Sequence, residues 1–117
     1  MAKIKVQNTE VTVITYNDKD YISLTDMVRN MENGPALIEK WLRNKNTVEF
    51  LGIWEEMYNP DFNSPEFEGL KRAGLNRSSF VKHGGKTNSK GIIAKAGRYG
   101  GTYAHKDIAF EFATWVS

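Results

Sequence analysis

Nine basic side chains and no acidic one stand between Lys71 and Lys106: Lys71, Arg72, Arg77, Lys82, Lys86, Lys90, Lys95, Arg98 and Lys106. Seven glycines are interleaved with them. Cations at that density, with no carboxylate to neutralise them, have the chemistry of a polyanion contact. Immediately upstream, Glu49 to Glu68 holds six carboxylates and no Lys or Arg, so the net charge of +2 conceals a strong segregation along the chain. Within the basic run, Ala96 to Gly101 reads as the tip of a hairpin. There Lys95 and Arg98 supply cations, Tyr99 offers a flat ring to sugar or backbone, and Gly97, Gly100 and Gly101 permit positive φ and close approach. A second polar surface is Arg43-Asn44-Lys45-Asn46-Thr47, where Lys or Arg can pair with guanine and an amide with adenine, although Asn44 and Asn46 equally suit helix caps.

Catalytic chemistry has little to stand on. His83 and His105 are isolated in the basic run, and the chain carries no nucleophile elbow, H-E-x-x-H, Walker loop or strand-linked G-x-G-x-x-G. The sequence is therefore read as non-enzymatic, with no cofactor or metal. The acids of Glu49 to Glu68 are expected as a wet helical face, Glu49, Glu55 and Glu56 pointing to solvent and Trp54 and Met57 inward.

The elements that position these residues follow from spacing and punctuation. Ile4 to Val6 and Val11 to Tyr16 are β-branched, and Asn17-Asp18-Lys19-Asp20 is a turn before Tyr21-Ile22, which predicts an antiparallel meander. Ser23 is an N-cap for a helix through Leu24, Met27, Val28 and Met31 to Asn33-Gly34. Pro35 opens a second helix with Leu37, Ile38, Trp41 and Leu42 inward, and Asn46 caps a third bearing Phe50, Leu51, Trp54, Met57 and Tyr58 on one side. Ser64-Pro65-Glu66 starts a fourth, ending at Ala73 before Gly74. Signals from Leu75 to Asn88 conflict. Gly91 to Lys95 and Thr102 to Ala104 read as the hairpin strands, and Lys106 to Val116 as the last helix.

A chain of 117 residues predicts one domain, residues 1–117, with a β-meander over 1–22 and a helical and hairpin region over 23–117. Forty per cent hydrophobic and 12% aromatic content exclude a disordered tail, and zero cysteines exclude a disulfide framework and a thiolate zinc site. Met1 to Val6 lacks a signal-peptide core and no apolar run could span a bilayer, so the expected setting is the cytoplasm or nucleoid, with no membrane partner.

Two long strings, WLRNKNTVEFLGIWE from Trp41 to Glu55 and KAGRYGGTYAHKDIAFEF from Lys95 to Phe112, closely resemble the KilA-N domain. That family occurs in phages, prophages and large DNA viruses and is similar to the DNA-binding domain of the fungal APSES transcription factors. The resemblance covers about Tyr21 to Val116. It implies an α+β fold with a winged helix-turn-helix core, and a role in binding double-stranded DNA within a regulatory protein that carries a C-terminal effector domain. By this likeness Leu24 to Met31 is the first helix of the helix-turn-helix, Arg43 to Tyr58 the recognition segment and Lys95 to Tyr103 the wing. Charge and position then assign phosphate contacts to Lys86, Lys90, Lys95, Arg98 and Lys106, stacking to Tyr99, and base edges to Arg43, Lys45 and Asn46. One departure is Phe80 to Asn88, where Gly84 and Gly85 replace an apolar helix and would each cost about 1 kcal/mol if helical. A loosely anchored wing is an element that two copies could exchange, giving a homodimer. The competing expectation is a protein interaction module that docks through the acidic helical face. RNA is a further polymer to test, since Tyr99 and Tyr103 could stack on splayed bases.

Overall fold

A computed structural model describes residues 2–6, 8–75, 87–95 and 100–117. The chain opens with strands β1 (Ala2–Val6), β2 (Thr9–Tyr16) and β3 (Lys19–Ser23), paired antiparallel in sequence order. Asn17 and Asp18 form the β2–β3 turn with φ of 52° and 63°. Two successive left-handed residues of this kind match the right-handed twist of a hairpin. The turn is therefore two residues long, and Lys19 and Asp20, expected in it, are strand residues paired to Tyr16 and Thr15.

The meander does not end at β3. Strand β4 (Ile92–Lys95) pairs with β5 (Gly101–His105), and β5 pairs on its other side with β3, Tyr21 opposite His105 and Ser23 opposite Tyr103. One five-stranded antiparallel sheet results, in the order β1-β2-β3-β5-β4, so the fold is α+β with the glycine-rich hairpin built into the same sheet as the N-terminal meander.

Five helices complete the described residues: α1 (Leu24–Met27), α2 (Gly34–Arg43), α3 (Lys45–Tyr58), α4 (Ser64–Ala73) and α5 (Lys106–Val116). Ser23 caps α1 as its sequence suggests, Oγ accepting from Asp26 N at 3.0 Å, but α1 is a single turn rather than the helix expected to reach Asn33. The reason is tertiary. Gly34 packs so tightly on the Val28 carbonyl that a Cβ there would collide with it, so the chain must reverse between them. Pro35 is the second residue of α2, not the first. The cap of α3 is Asn44, not Asn46: its Oδ1 accepts from Asn46 N at 2.9 Å, while its own N–H closes α2 on Trp41 O at 3.1 Å. One extended residue thus joins α2 to α3.

Leu24, Val28, Ile38, Leu42, Leu51, Ile92, Ile108 and Phe112 are fully buried, with Trp41 meeting Phe112 edge-on at 5.0 Å. Each such side chain contributes about 1.5–3 kcal/mol by burial. The inward stripe of α3 is Thr47, Val48, Leu51, Trp54 and Glu55. Met57, expected inside, is 66% exposed, and Tyr58 is 51% exposed. No helix among the described residues is long and apolar enough to cross a membrane.

Candidate nucleic-acid interface

The segment leading into β4 is held from below by a buried carboxylate. Glu55 closes the inward stripe of α3 at its carboxyl end and is 2% exposed, which corrects its expected place on a solvent face. Its Oε2 accepts from Gly91 N at 2.7 Å, its Oε1 from Lys90 N at 3.0 Å and from Asn59 Nδ2 at 2.9 Å. Tyr21 donates its hydroxyl to Lys90 O at 2.7 Å, and His105 N donates to Gly91 O at 2.8 Å. All four backbone polar groups of Lys90 and Gly91 are thereby satisfied by side chains or by β5. Burial pushes the Glu55 carboxyl above its ordinary pKa, and the donated hydrogen bonds and the Lys90 charge offset this only in part. Burial likewise raises Tyr21, with the Glu55 charge adding to it.

Gly91 is required here by space. A Cβ would collide with Ile108 Cδ1 and come to 3.0 Å from Glu55 Oε2 and 3.2 Å from Trp54 Cε3. Gly91→Ala should therefore destabilise the chain by about 1–3 kcal/mol, the usual cost of overpacking, as read by a lowered urea midpoint. Gly101, expected in the hairpin tip, is the first residue of β5 and does not use the positive φ open to it; a Cβ there would lie 3.2 Å from Thr25 Oγ1. That hydroxyl accepts from Thr102 N at 3.0 Å, tying the loop end of the hairpin to α1.

The expected DNA-contacting residues fall into three groups. Lys90 and Lys106 sit at one end of β5, on either side of the bond from His105 N to Gly91 O. Lys95 sits at the other end, opposite Gly101, its Nζ 5.9 Å from the centroid of the Tyr103 ring. The run from Gly101 to His105 separates these two groups by about 14 Å at strand spacing. Arg43, Lys45 and Asn46 form the third group at the α2–α3 junction, all exposed. Asn46 lines a hollow with Glu111, Thr114 and Trp115 of α5, so this group lies near the carboxyl end of α5 and Lys106 at its amino end. Lys86, Arg98 and Tyr99 lie outside the described residues, as do Arg77, Lys82, His83, Gly84, Gly85 and Gly97.

Several charges of the two segregated runs meet each other. Lys71 Nζ is 2.6 Å from Glu49 Oε1 and 3.9 Å from Glu68 Oε2, and Lys90 Nζ is 3.3 Å from Asp61 Oδ2. Arg43 approaches Glu39 at 3.8 Å. Exposed pairs of this kind are worth about 0–1 kcal/mol, so a phosphate can replace the carboxylate at Lys90 or Arg43 at little cost. Lys45, Lys95 and Lys106 make no ion pair among the described residues. Lys19 joins the Lys90 and Lys106 end, because β3–β5 pairing brings it close enough for its charge to depress His105. Nothing local to Lys19 announces this, since its neighbour is on a strand more than eighty residues away.

His105 caps α5 with its ring: Nδ1 accepts from Asp107 N at 3.2 Å, which requires the neutral imidazole. Burial lowers its pKa; the Asp107 and Asp20 carboxylates oppose the shift, while Lys19 and Lys106 add to it. A lowered folded pKa means that this cap contributes in full above about pH 6.5 and is lost as pH falls through the folded value. Among the described residues no three His, Cys, Asp or Glu side chains gather as a cation site.

Comparison with curated proteins and with solved structures finds no match. The model of one family, the KilA-N domain, matches residues 4–117. Apart from the first two residues of β1, all described elements fall within the matched span, and the chain belongs to the KilA-N domain family, whose members are generally DNA-binding domains.

Proposed function

We propose that this chain binds double-stranded DNA as a winged helix-turn-helix module of a phage or prophage regulatory protein. Lys86, Lys90, Lys95, Arg98 and Lys106 contact phosphates, Tyr99 lies against the backbone, and Arg43, Lys45 and Asn46 reach base edges. Beside family membership, the observation that carries this reading is the state of the charges: Glu55 is buried and Glu49 and Glu68 converge on Lys71, whereas Lys95 and Lys106 make no ion pair among the described residues and Lys45 feels Glu49 only at longer range. The amino end of α3 adds to it. Its first turn carries no acid, and its free N–H groups carry partial positive charge outward.

Polar side chains at the start of a helix suit base readout, whereas the later exposed face of α3, with Glu49, Ile53, Glu56 and Met57, does not. The helix therefore approaches the major groove with its amino end rather than lying along it. Selection from random duplex DNA at near-physiological salt tests this directly. A recovered motif is expected, and Asn46→Ala should lose preference at one base pair by about 1–3 kcal/mol while leaving the others. Equal recovery of single-stranded DNA or RNA of matched length would move the reading to another polymer.

The alternative expectation, docking through the acids between Glu55 and Glu68, has less to rest on. Glu55 is interior, Glu68 faces Lys71, Asp61 faces Lys90 and Glu56 accepts from Ser64 Oγ at 3.2 Å.

A further inference from the structure

Between the Lys106 end of α5 and the α2–α3 junction lies a groove of different chemistry. Helices α3 and α5 face each other across a cleft, and at its edge Trp54 meets His105 of β5 with ring centroids 4.9 Å apart. Ile53, Met57, Tyr58 and Phe110 are 59, 66, 51 and 71% exposed, and with Phe50 they wall a cleft of about 350 Å³. Its charged lining is Asp107 and Glu111, four residues apart on α5 and so on one ridge; among the described residues no Lys or Arg lines it. A second hollow of about 250 Å³ shares Phe50 and Glu111 and prolongs the groove toward the amino end of α3. At 1.5 Å per residue the 14 residues of α3 give the groove a length of about 21 Å, enough for four turns of a partner helix.

Large apolar side chains clustered in the open mark interaction sites. Nucleic acid is a poor occupant, because both charged groups on the wall would repel phosphate. A second copy of this chain, docked groove to groove, would set one Asp107–Glu111 ridge against the other, and like charges across an interface are unfavourable. A helix with apolar side chains every three to four residues and Lys or Arg beside them satisfies both the apolar floor and the acidic wall. We propose that the α3–α5 groove docks a basic amphipathic helix of a partner protein. Ile53, Met57 and Phe110 receive its apolar side chains, and Asp107 and Glu111 receive its cations. Met57, unbranched and polarisable, lets the floor adapt to the segment it meets.

A synthetic four-turn helix with a leucine stripe flanked by lysines, and its twin with glutamate at every lysine, provide the test on the full chain. Fluorescence anisotropy should show the lysine peptide binding at least about tenfold more tightly at ~0.1 M salt, with amide shift changes centred on Ile53, Met57 and Phe110. Phe110→Ala should weaken it by about tenfold and Glu111→Lys should turn the preference toward the glutamate twin, both with unchanged urea midpoints because these side chains are exposed. Equal binding of the twins, shifts centred elsewhere, or full affinity in Phe110→Ala would overturn the proposal. Concentration-dependent shifts at the same residues without peptide would also overturn it, by making a second copy the occupant.

Discussion

Glu55→Ala should unfold at a markedly lower urea concentration than the native chain, with a loss of about 3–5 kcal/mol. Three donors, Lys90 N, Gly91 N and Asn59 Nδ2, converge on this carboxylate, and two of the bonds are fully buried. Removing one partner of a buried charged network leaves the rest without compensation, which is the costly case. The loss is also local in character. Amide exchange at Lys90 and Gly91 should rise more than that of Leu51 or Ile108, because Glu55 pins the entry to β4 rather than the core at large. A change below about 1 kcal/mol would mean that the segment from Lys90 is held by the sheet alone.

The same residue shapes the pH response. The folded Glu55 carboxyl titrates above its unfolded value, so its contribution is complete below about pH 4.5 and diminishes as pH rises through the folded value. His105, lowered in the fold, acts in the opposite direction, its contribution falling away below about pH 6.5. Between those two values the slopes oppose each other. Glu55→Gln removes one of them, so its stability should rise more steeply with pH over that interval than that of the native chain, as measured by urea unfolding at several pH values. Parallel curves for the two proteins would show that Glu55 does not titrate in this range.

The second large effect concerns binding. Replacing Lys90, Lys95 and Lys106 together with alanine should weaken duplex binding by about 100-fold at ~0.15 M salt, because three released counterion equivalents are lost. Phosphate contacts carry no base information, so the loss should be uniform across sequences. Folding should change little, since all three lysines are exposed, the one ion pair they make among the described residues is with surface Asp61, and the Lys90 charge is the least of the causes acting on Glu55. A loss restricted to one sequence would instead place one of these lysines at a base edge.

Much of the fold was legible because local chemistry decided it. The last helix begins at Lys106 and ends at Val116 as its apolar spacing indicates, and α4 runs from Ser64 to Ala73 before Gly74 as expected, with Asn63 rather than a residue of the Ser64-Pro65-Glu66 start as its cap. The departures arise from contacts that periodicity does not encode, the first two close in the chain and the others distant. α1 ends after one turn because Gly34 must reach the Val28 carbonyl, a contact no helical periodicity encodes. Asn44 and Asn46 are both plausible caps, and only the one-residue link between α2 and α3 selects Asn44. Glu55 is the instructive case: Val48, Leu51 and Glu55 keep helical spacing and therefore share a face, but a charged residue was read as wet. Its interior place depends on amides of residues 90 and 91, thirty-five positions away. The joining of the two hairpins into one sheet, and with it the place of Lys19, depends on β3–β5 pairing at still greater separation. Of the candidate DNA contacts, residue types and charge were legible, whereas their division between the two ends of β5 and the α2–α3 junction was not.

The central claim is that cations of this chain neutralise a DNA backbone, and salt dependence reads that number most directly. Equilibrium binding of a duplex, measured by anisotropy from about 0.05 to 0.3 M salt, should give log affinity falling against log salt with a slope of roughly −4 to −5, about −0.9 for each of some five phosphates. A slope shallower than about −1, or an affinity no greater than that of an unrelated protein of equal charge, would contradict the account.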